Sequence, residues 1–340
     1  MVLRALDSVE DDMAVASDRK VELLNTFYRL FEDEPPASGY DLSGIGENAA
    51  EVELLENLHR LIAVHADLKP EYRSVIVDIT RRMGQGMAEY LDREIVTEAE
   101  YDEYCVIVAG WVGEGLSLLF AASALEDPSY ASPATIETSL ACGLALQKTN
   151  ITRDVFEDWE EGRVFWPVDI WGQYVPRLGD LFHPDNTPLA RRALNHMILS
   201  GMQHVPATLE YMAGLVTPEV LRFVAIPQAM AVGTLAELYD NPAVFNSNVK
   251  LRKGLTACIF TSINTFADVC KWYLVFIDQF KSKIGSPSSD VERQLLSVLE
   301  GLEATCKLHV PDSSTLDYAI GAAWLASSAY LLHKTLKSHL

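Results

Sequence analysis

The chain has 340 residues, of which 49% are hydrophobic and 22% are charged, a composition typical of a folded globular protein with a sizeable core. Its formal net charge of -21 argues against a general affinity for nucleic acid or for anionic membrane surfaces.

The cysteines and histidines form no pattern typical of disulfides or zinc sites. The five cysteines are widely spaced, odd in number and without a CxxC pair, which predicts reduced thiols in a cytosolic environment. The eight histidines form no HxxxH or HExxH pattern, which argues against a zinc site. The first residues carry charges from Arg4 onward and lack the apolar region of a signal peptide.

Helical periodicity dominates the chain. Apolar residues recur at three- and four-residue intervals in the segments 21–31, 49–64, 72–90, 98–122, 135–159, 188–215 and 291–307. Breaks rich in Pro, Gly and polar residues predict loops at 34–39, 126–128 and 183–186, and a linker at 285–289. The sequence therefore predicts one all-α domain over residues 1–284, followed by a linker and a C-terminal helical tail over 285–340.

The C-terminal tail contains an uncharged, largely apolar stretch at 318–332, followed by His333, Lys334 and Lys337. It is shorter than the ~17–25 residues that a membrane-spanning helix needs. Two interpretations stay open: a terminal packing helix, and a weak membrane anchor with basic flanks.

Two acidic segments lie far apart in the chain. In a helix, carboxylates three and four residues apart project from one face. The first segment offers Asp7, Glu10 and Asp11 in this spacing. The second offers Asp154 and Asp158, which share one helical stripe with Gln147 and Asn150.

Carboxylates in this arrangement predict magnesium and diphosphate binding. Magnesium prefers carboxylate oxygens and is completed by substrate phosphates, and it turns diphosphate into a better leaving group. Arg4, Arg153, Arg163 and the basic cluster at 250–254 are candidates to neutralise the remaining charge. A solvated helix face is the alternative for each acidic segment taken alone, and a surface charge for each basic residue.

Two aromatic residues, Phe165 and Trp166, follow the second acidic segment and precede a proline. Their π faces could shield a carbocation near a diphosphate site. The alternative is that they form a hydrophobic cap on the helical bundle.

Six ordered motifs between residues 2 and 280 resemble the squalene synthases, the farnesyl-diphosphate farnesyltransferases of the squalene/phytoene synthase family. They are LRALDSVEDDM at 3–13, RMGQGMA at 82–88, VAGWVGEGLS at 108–117, LQKTNITRDVFEDWEEGRVFWP at 146–167, FVAIPQ at 223–228 and KLRKG at 250–254. The resemblance implies the all-α isoprenoid synthase fold, a single helical bundle with a central cavity. It also implies a place in isoprenoid and sterol biosynthesis.

The resemblance further implies a two-step reaction. Two farnesyl diphosphates are joined with magnesium-assisted loss of diphosphate to give presqualene diphosphate, which NADPH then reduces to squalene. Carried onto this chain, the magnesium ligands are Asp7, Glu10, Asp11, Asp154 and Asp158, and the first-step tyrosine is Tyr104. Substrate or diphosphate contacts fall on Arg4, Gln147, Arg153, Phe223, Pro227 and Gln228, and NADPH contacts on Asn150, Arg163, Lys250 and Arg252.

The chain departs from the family pattern in three places. The resemblance implies several dozen residues before the first acidic segment, and we expect either a truncated product or gene model, or a more open pocket. A His-Tyr pair expected after Cys105 is replaced by Val106 and Ile107, and an expected arginine is replaced by Leu118.

These departures leave two alternatives to squalene synthesis. One is a divergent prenyltransferase that makes a nonreduced or different product, and the other is an inactive truncated paralogue. For localisation, the resemblance and the tail predict the cytosolic face of the endoplasmic reticulum membrane, with a cytoplasmic protein as the alternative.

Overall fold

The structure is a computed structural model that describes residues 1–32 and 40–310. The loop predicted at 34–39 and the apolar stretch at 318–332 lie outside the described residues. Within the described ranges the chain is helical and contains no β-strand, which confirms the all-α prediction. The chain divides into two compact units, residues 1–147 and residues 148–340.

The first unit contains seven complete α-helices in its described part and the beginning of an eighth. They are α1 (Val2–Asp11), α2 (Ser17–Thr26), α3 (Ala49–Glu56), α4 (Leu58–Ala66), α5 (Pro70–Tyr90), α6 (Glu98–Cys105), α7 (Trp111–Ala122) and α8 (Pro133–Arg153). Short 3-10 helices cover Phe27–Phe31 and Pro128–Ala131, and a π-helical segment covers Val106–Gly110.

Helix α5 is the centre of the first unit, and α1, α2, α7 and the π-helical segment all pack against it. Its apolar face is buried through Ile79, Met83 and Met87. Helix α8 approaches the π-helical segment closely at Gly143, where a Cβ atom would lie only 2.3 Å from the carbonyl oxygen of Ala109. Any side chain at this position would therefore push the two helices apart.

The second unit contains the remaining helices of the described chain. They are α9 (Val155–Glu160), α10 (Val168–Trp171), α11 (Thr187–Met202), α12 (Val205–Ala213), α13 (Pro218–Leu238), α14 (Lys253–Ser262), α15 (Phe266–Ile284) and α16 (Asp290–His309). Short 3-10 helices cover Leu178–Phe182, Pro184–Asn186 and Pro242–Phe245. Helix α11 packs against α10, α13 and α16, and α15 packs against α13 and α16.

Three of the predicted helices are interrupted. The segment 49–64 is divided at Asn57, and the segment 188–215 at Gln203 and His204. The segment 135–159 is divided at Asp154, which lies between α8 and α9. Hydrophobic periodicity does not detect such breaks because the apolar spacing continues on both sides of them.

The predicted linker at 285–289 is a tight turn. Gly285 has a φ of 60°, and Ser289 forms a capping box with Glu292 at the start of α16. Helix α16 buries Leu295, Leu299 and Leu302 and packs against α15. The described part of the predicted tail is thus helical, and it packs against α15 within the second unit.

Two helical stretches among the described residues are long and apolar enough to cross a membrane. These are Glu98–Ala122, whose most apolar part is 28% buried, and Pro218–Leu238, whose most apolar part is 61% buried. Core helices of soluble proteins have the same length and composition. Both stretches carry predicted site residues, Tyr104 in the first and Phe223 in the second.

Candidate active site

The first acidic cluster consists of Asp7, Glu10 and Asp11 on α1. This helix buries Ala5, Leu6 and Val9 completely, and the three carboxylates lie partly exposed at its other positions. The amphipathic spacing of the sequence therefore leaves all three acidic side chains accessible to a ligand.

Arg4 lies one turn before Asp7 and binds three carboxylates. Its guanidinium pairs with Asp7 and Glu51, and its Nη1 lies 3.8 Å from Oδ2 of Asp11. Glu51 is buried and also accepts hydrogen bonds from the backbone N–H of Glu47 at 2.9 Å and from Nδ2 of Asn48 at 2.7 Å. Glu51 therefore anchors the arginine that faces the cluster, a role that the sequence did not indicate.

Asp12 directly follows the cluster but has a different role. It is buried, and its carboxylate accepts hydrogen bonds from the backbone N–H groups of Ala14 and Gly46, each at 2.8 Å. These bonds fix the loop after α1, so the carboxylate has little freedom to bind a ligand.

Tyr104, at the end of α6, is buried, and its ring centroid lies 5.4 Å from that of Tyr90. Burial is the main cause that raises the pKa of Tyr104 well above its usual 10.0, and the negative charges of Glu10 and Asp11 add to it. The phenol is therefore protonated at neutral pH. The structure brings Tyr104 into the electrostatic field of the first acidic cluster.

Two predicted site residues lie near the end of α8. Gln147 is half-buried and belongs to the first unit, whereas Asn150 is exposed and belongs to the second. Lys148 lies between them and is buried, with its Nζ 2.9 Å from Oγ of Ser200. The helical spacing thus separates the two amides from a lysine that points into the core.

The second acidic cluster consists of Asp154, Glu157 and Asp158. Although α8 ends at Arg153, the backbone N–H of Asp154 donates to the carbonyl of Asn150 at 2.8 Å, and that of Asp158 donates to the carbonyl of Asp154 at 2.9 Å. These two bonds keep the helical register across the break. Glu157 therefore joins the two predicted aspartates, although the sequence analysis did not assign it a role.

Two arginines neutralise part of this second cluster. Arg153 donates to Asp154 in a bidentate contact, with Nε 2.7 Å from Oδ1. Arg163 pairs with Glu161 and places its Nη2 3.5 Å from Oδ1 of Asp158. The chain turns back toward Asp158 at Gly162, whose φ of 76° is in the left-handed region that favours glycine.

Asn248 is a further partner of the second cluster, and no sequence motif pointed to it. Its Nδ2 lies 3.0 Å from Oδ1 of Asp154 and 2.8 Å from Oε2 of Glu157. Since these residues are 94 and 91 positions away in the sequence, no local spacing could have revealed the contact.

The predicted NADPH residues Lys250 and Arg252 follow two and four positions later. Both are exposed, and within the described chain neither forms an ion pair or a side-chain hydrogen bond. They are available cations in a strongly acidic protein.

The aromatic and apolar candidates divide into exposed and buried residues. On α13, Phe223 and Pro227 are exposed, whereas Gln228 is buried. Trp166 is only 1% exposed, and its Nε1 donates to the carbonyl of Ile151 at 3.1 Å. The packing interpretation is therefore correct for Trp166, while Phe165 is half-buried.

The chain is similar to known proteins over most of its length. The family model for squalene/phytoene synthase matches residues 1–254. The human squalene synthase is 40% identical over 301 residues, which cover 88% of this chain and 70% of that protein. The squalene synthase of Nicotiana benthamiana is 42% identical over 320 residues, which cover 93% of this chain and 74% of that protein.

Solved structures give the same result. TcSQS in complex with the ligand E5700 matches with a TM-score of 0.84 and 35% identity, covering 91% of this chain and 88% of that chain. The chain belongs to the squalene/phytoene synthase family. The resemblance noted in the sequence is thus confirmed, and the matches make the chain an enzyme of the squalene synthase type.

The carboxylates of the two acidic clusters are of the ligand type that magnesium prefers. No three His, Cys, Asp or Glu side chains in the described ranges converge on one point that could hold a metal ion. Magnesium is commonly bound by one or two carboxylates together with waters and substrate phosphates. Each cluster can supply carboxylates for that mode of binding.

One departure from the squalene/phytoene synthase pattern has a structural role. Ile107 is buried in the π-helical segment and fills the space above Gly86 of α5, where a Cβ atom would lie 2.6 Å from its Cγ2. Val106 and Leu118 are half-buried. The apolar residue at 107 thus contributes to helix packing.

Proposed function

We propose that this protein joins two farnesyl diphosphates through presqualene diphosphate to squalene, with magnesium and NADPH as cofactors. Family membership and the squalene synthase relatives support squalene synthase function in broad terms. The observation that carries the finer proposal is the pairing of carboxylates with arginines in both acidic clusters, with buried Tyr104 in the field of the first.

The magnesium ions would be held by Asp7, Glu10 and Asp11 in the first cluster and by Asp154 and Asp158 in the second. Bound magnesium neutralises charge on a diphosphate leaving group. Arg4 and Arg153 lie within the clusters and can donate charge-assisted hydrogen bonds to diphosphate oxygens. Gln147, half-buried on α8, can add a neutral donor on the substrate side.

Tyr104 is proposed to act in the first step as a phenol rather than a phenolate. Because its pKa is raised, Tyr104 keeps the proton on Oη. The phenol can therefore donate a hydrogen bond to the diphosphate, whereas a carboxylate at this position would repel it. Its burial also keeps water away from this part of the substrate.

NADPH would be bound by Asn150, Arg163, Lys250 and Arg252, and it supplies the hydride of the second step. The two exposed cations, Lys250 and Arg252, suit the phosphate groups of a dinucleotide because they have no competing carboxylate in the described chain. Phe223, Pro227 and Gln228 of α13 would line the region of the second step, where the exposed ring of Phe223 offers a π face to a cation.

Membrane attachment is a separate proposal. The apolar stretch at 318–332 with its basic flank would hold the protein on the cytosolic face of the endoplasmic reticulum membrane, and a cytoplasmic protein is the alternative. Flotation of the full chain with liposomes, compared with a chain ending at residue 310, tests this. Equal recovery of both chains with the lipid would contradict the anchor.

Incubation of the protein with farnesyl diphosphate, magnesium and NADPH tests the main proposal. We expect squalene with NADPH, and presqualene diphosphate together with released diphosphate when NADPH is omitted. The absence of all three products under every condition would favour an inactive paralogue.

A second candidate is a prenyltransferase with a nonreduced or different product. The apolar residues Val106, Ile107 and Leu118 favour it, because the resemblance leads one to expect polar side chains there. A product whose mass does not change when NADPH is added would support this alternative.

A further inference from the structure

The second acidic cluster is joined to a distant segment of the chain by one neutral side chain. We infer that Asn248 is a positioning residue that holds Asp154 and Glu157 together for binding a metal-diphosphate complex. The inference rests on the proposed function, because it assigns a partner to Asp154, which the proposed function places on magnesium, and adds Glu157 beside it.

The side-chain amide of Asn248 contacts two carboxylates at once. The Nδ2 group of Asn248 has two hydrogens, and it lies 3.0 Å from Oδ1 of Asp154 and 2.8 Å from Oε2 of Glu157. Each hydrogen can thus be donated to a different carboxylate. A neutral donor between two anions reduces their repulsion and fixes the direction of their remaining oxygens.

The orientation of the amide is set by these same contacts. If the amide were turned over, Oδ1 would face two carboxylates and no hydrogen bond would form. In the observed orientation Oδ1 is buried, and within the described chain it accepts no hydrogen bond. A buried acceptor without a partner is unfavourable, so the two bonds at the other end of the amide are what stabilise this arrangement.

The segment that carries Asn248 is firmly attached to the cluster. The 3-10 helix Pro242–Phe245 packs against α9 and buries Val244 and Phe245. The ring of Phe245 packs edge to face with Trp166 and Phe182, with ring centroids 6.0 Å and 5.8 Å apart. This packing places Asn248 next to α9 before any ligand binds.

Arg153 differs from Asn248 in what it can do at this cluster. It binds Asp154 as a cation and can transfer its hydrogen bonds to a diphosphate. Asn248 carries no charge, so it can keep both carboxylates in position without competing with magnesium for them. The two residues therefore serve different purposes at Asp154.

The test is a titration of the full-length protein with Mn²⁺ and inorganic diphosphate, followed by calorimetry and by the spin resonance of bound Mn²⁺. We expect Asn248→Ala to weaken binding about tenfold or more, the usual effect of removing a group that orients a metal ligand. Asn248→Ser should recover part of the affinity, because a hydroxyl has one hydrogen to donate instead of two.

Asn246→Ala is the matched control. Asn246 lies in the same turn, is exposed and makes no side-chain hydrogen bond in the described chain, so affinity should stay within about twofold. Combining Asn248→Ala with Asp154→Asn should weaken binding less than the product of the two single effects, because the residues share one contact. Thermal unfolding without metal identifies any variant that fails to fold, in which case Asn248→Ser carries the test.

The possible results separate the two claims. If the unmodified protein binds Mn²⁺ and diphosphate and Asn248→Ala binds them equally well, the role of Asn248 is wrong and the proposed function stands. An equal loss in Asn246→Ala would assign the effect to the turn and would also overturn the inference. If the unmodified protein binds neither, both the inference and the proposed metal-dependent function are wrong.

Discussion

The two acidic clusters share a pattern of carboxylates beside arginine, but they differ in their supporting residues. In the first, one arginine, Arg4, pairs with three carboxylates, and one of these is the buried Glu51. In the second, Arg153 and Arg163 pair with the cluster, and the neutral Asn248 bridges two of its carboxylates.

This difference indicates unequal charge at the two clusters. The first has more carboxylates per arginine, so it should depend more strongly on added cations. The second already has two guanidinium groups and an amide, so it should accept a diphosphate with less help from metal.

Removing one carboxylate from either cluster should have the largest effect. For Asp7→Asn and Asp154→Asn we expect turnover to fall by about 10³-fold, because a metal ligand that stabilises the leaving group contributes several kcal/mol and about 1.4 kcal/mol corresponds to tenfold. Diphosphate release at several magnesium concentrations measures this. Excess magnesium should restore more activity to Asp7→Asn than to Asp154→Asn, because the first cluster depends more strongly on added cations.

The control for this pair is Glu160→Gln. Glu160 is exposed at the end of α9 and forms no side-chain contact in the described chain, so its activity should be close to that of the unmodified protein. Turnover of Asp7→Asn or Asp154→Asn within a few-fold of the unmodified protein would show that these carboxylates do not hold the metal.

Tyr104→Phe should reduce the first step by about 10²-fold or more, the range expected for loss of a positioned proton donor. Presqualene diphosphate formation without NADPH measures this step. Tyr90→Phe is the control, since Tyr90 contacts the Tyr104 ring and donates to Glu103 at 2.7 Å. Equal losses in both variants would contradict a specific role for Tyr104 and would indicate general loosening of this region.

The raised pKa of Tyr104 also predicts a pH dependence. The folded protein keeps this phenol protonated above 10.0, whereas the unfolded chain ionises near that value. The contribution to the free energy of unfolding is therefore constant below pH 10 and decreases as pH rises further. Denaturant unfolding from pH 8 to pH 11 should show a smaller decrease in Tyr104→Phe, and identical curves would contradict burial of the ionisable group.

The sequence predicted some of the long helices to within a few residues. The segment 72–90 corresponds to α5 (Pro70–Tyr90), and the segment 291–307 corresponds to α16 (Asp290–His309). The break at Asp154 was missed because the apolar spacing continues on both sides of it.

Within the candidate site, sequence spacing could predict only residues that lie close together in the chain. Spacing along one helix identifies Asp7, Glu10 and Asp11, and the family resemblance identifies Tyr104. Glu51 and Asn248 are brought to the clusters by the fold from distant parts of the chain, and no single-helix pattern contains this information. Burial distinguishes Asp12 from its neighbour Asp11, although their residue type is the same.

The anchor of Arg4 should have a smaller effect than the carboxylates themselves. Glu51→Gln keeps the shape of the side chain but removes a charged hydrogen bond of about 1.5–3 kcal/mol, so we expect turnover to fall by roughly tenfold or more. Glu53→Gln, an exposed position on the same helix, is the control. Diphosphate release by Glu51→Gln at the rate of this control would show that Arg4 needs no anchor.

The smallest effect is expected at Lys250 and Arg252, which are exposed and therefore screened by water and salt. The double variant Lys250→Ala with Arg252→Ala should raise the KM for NADPH about three- to tenfold, because exposed charges contribute about 0.2–1 kcal/mol each. Presqualene diphosphate formation without NADPH should not change. Arg60→Ala, which removes an exposed arginine of the first unit, is the control for net charge.

An unchanged KM in the double variant would show that Lys250 and Arg252 do not bind NADPH. An equal loss in the first step would show that they bind diphosphate instead. In that second case the second unit would carry four cations for diphosphate, Arg153, Arg163, Lys250 and Arg252, and the charge contrast between the two clusters would be larger than the ion pairs alone indicate.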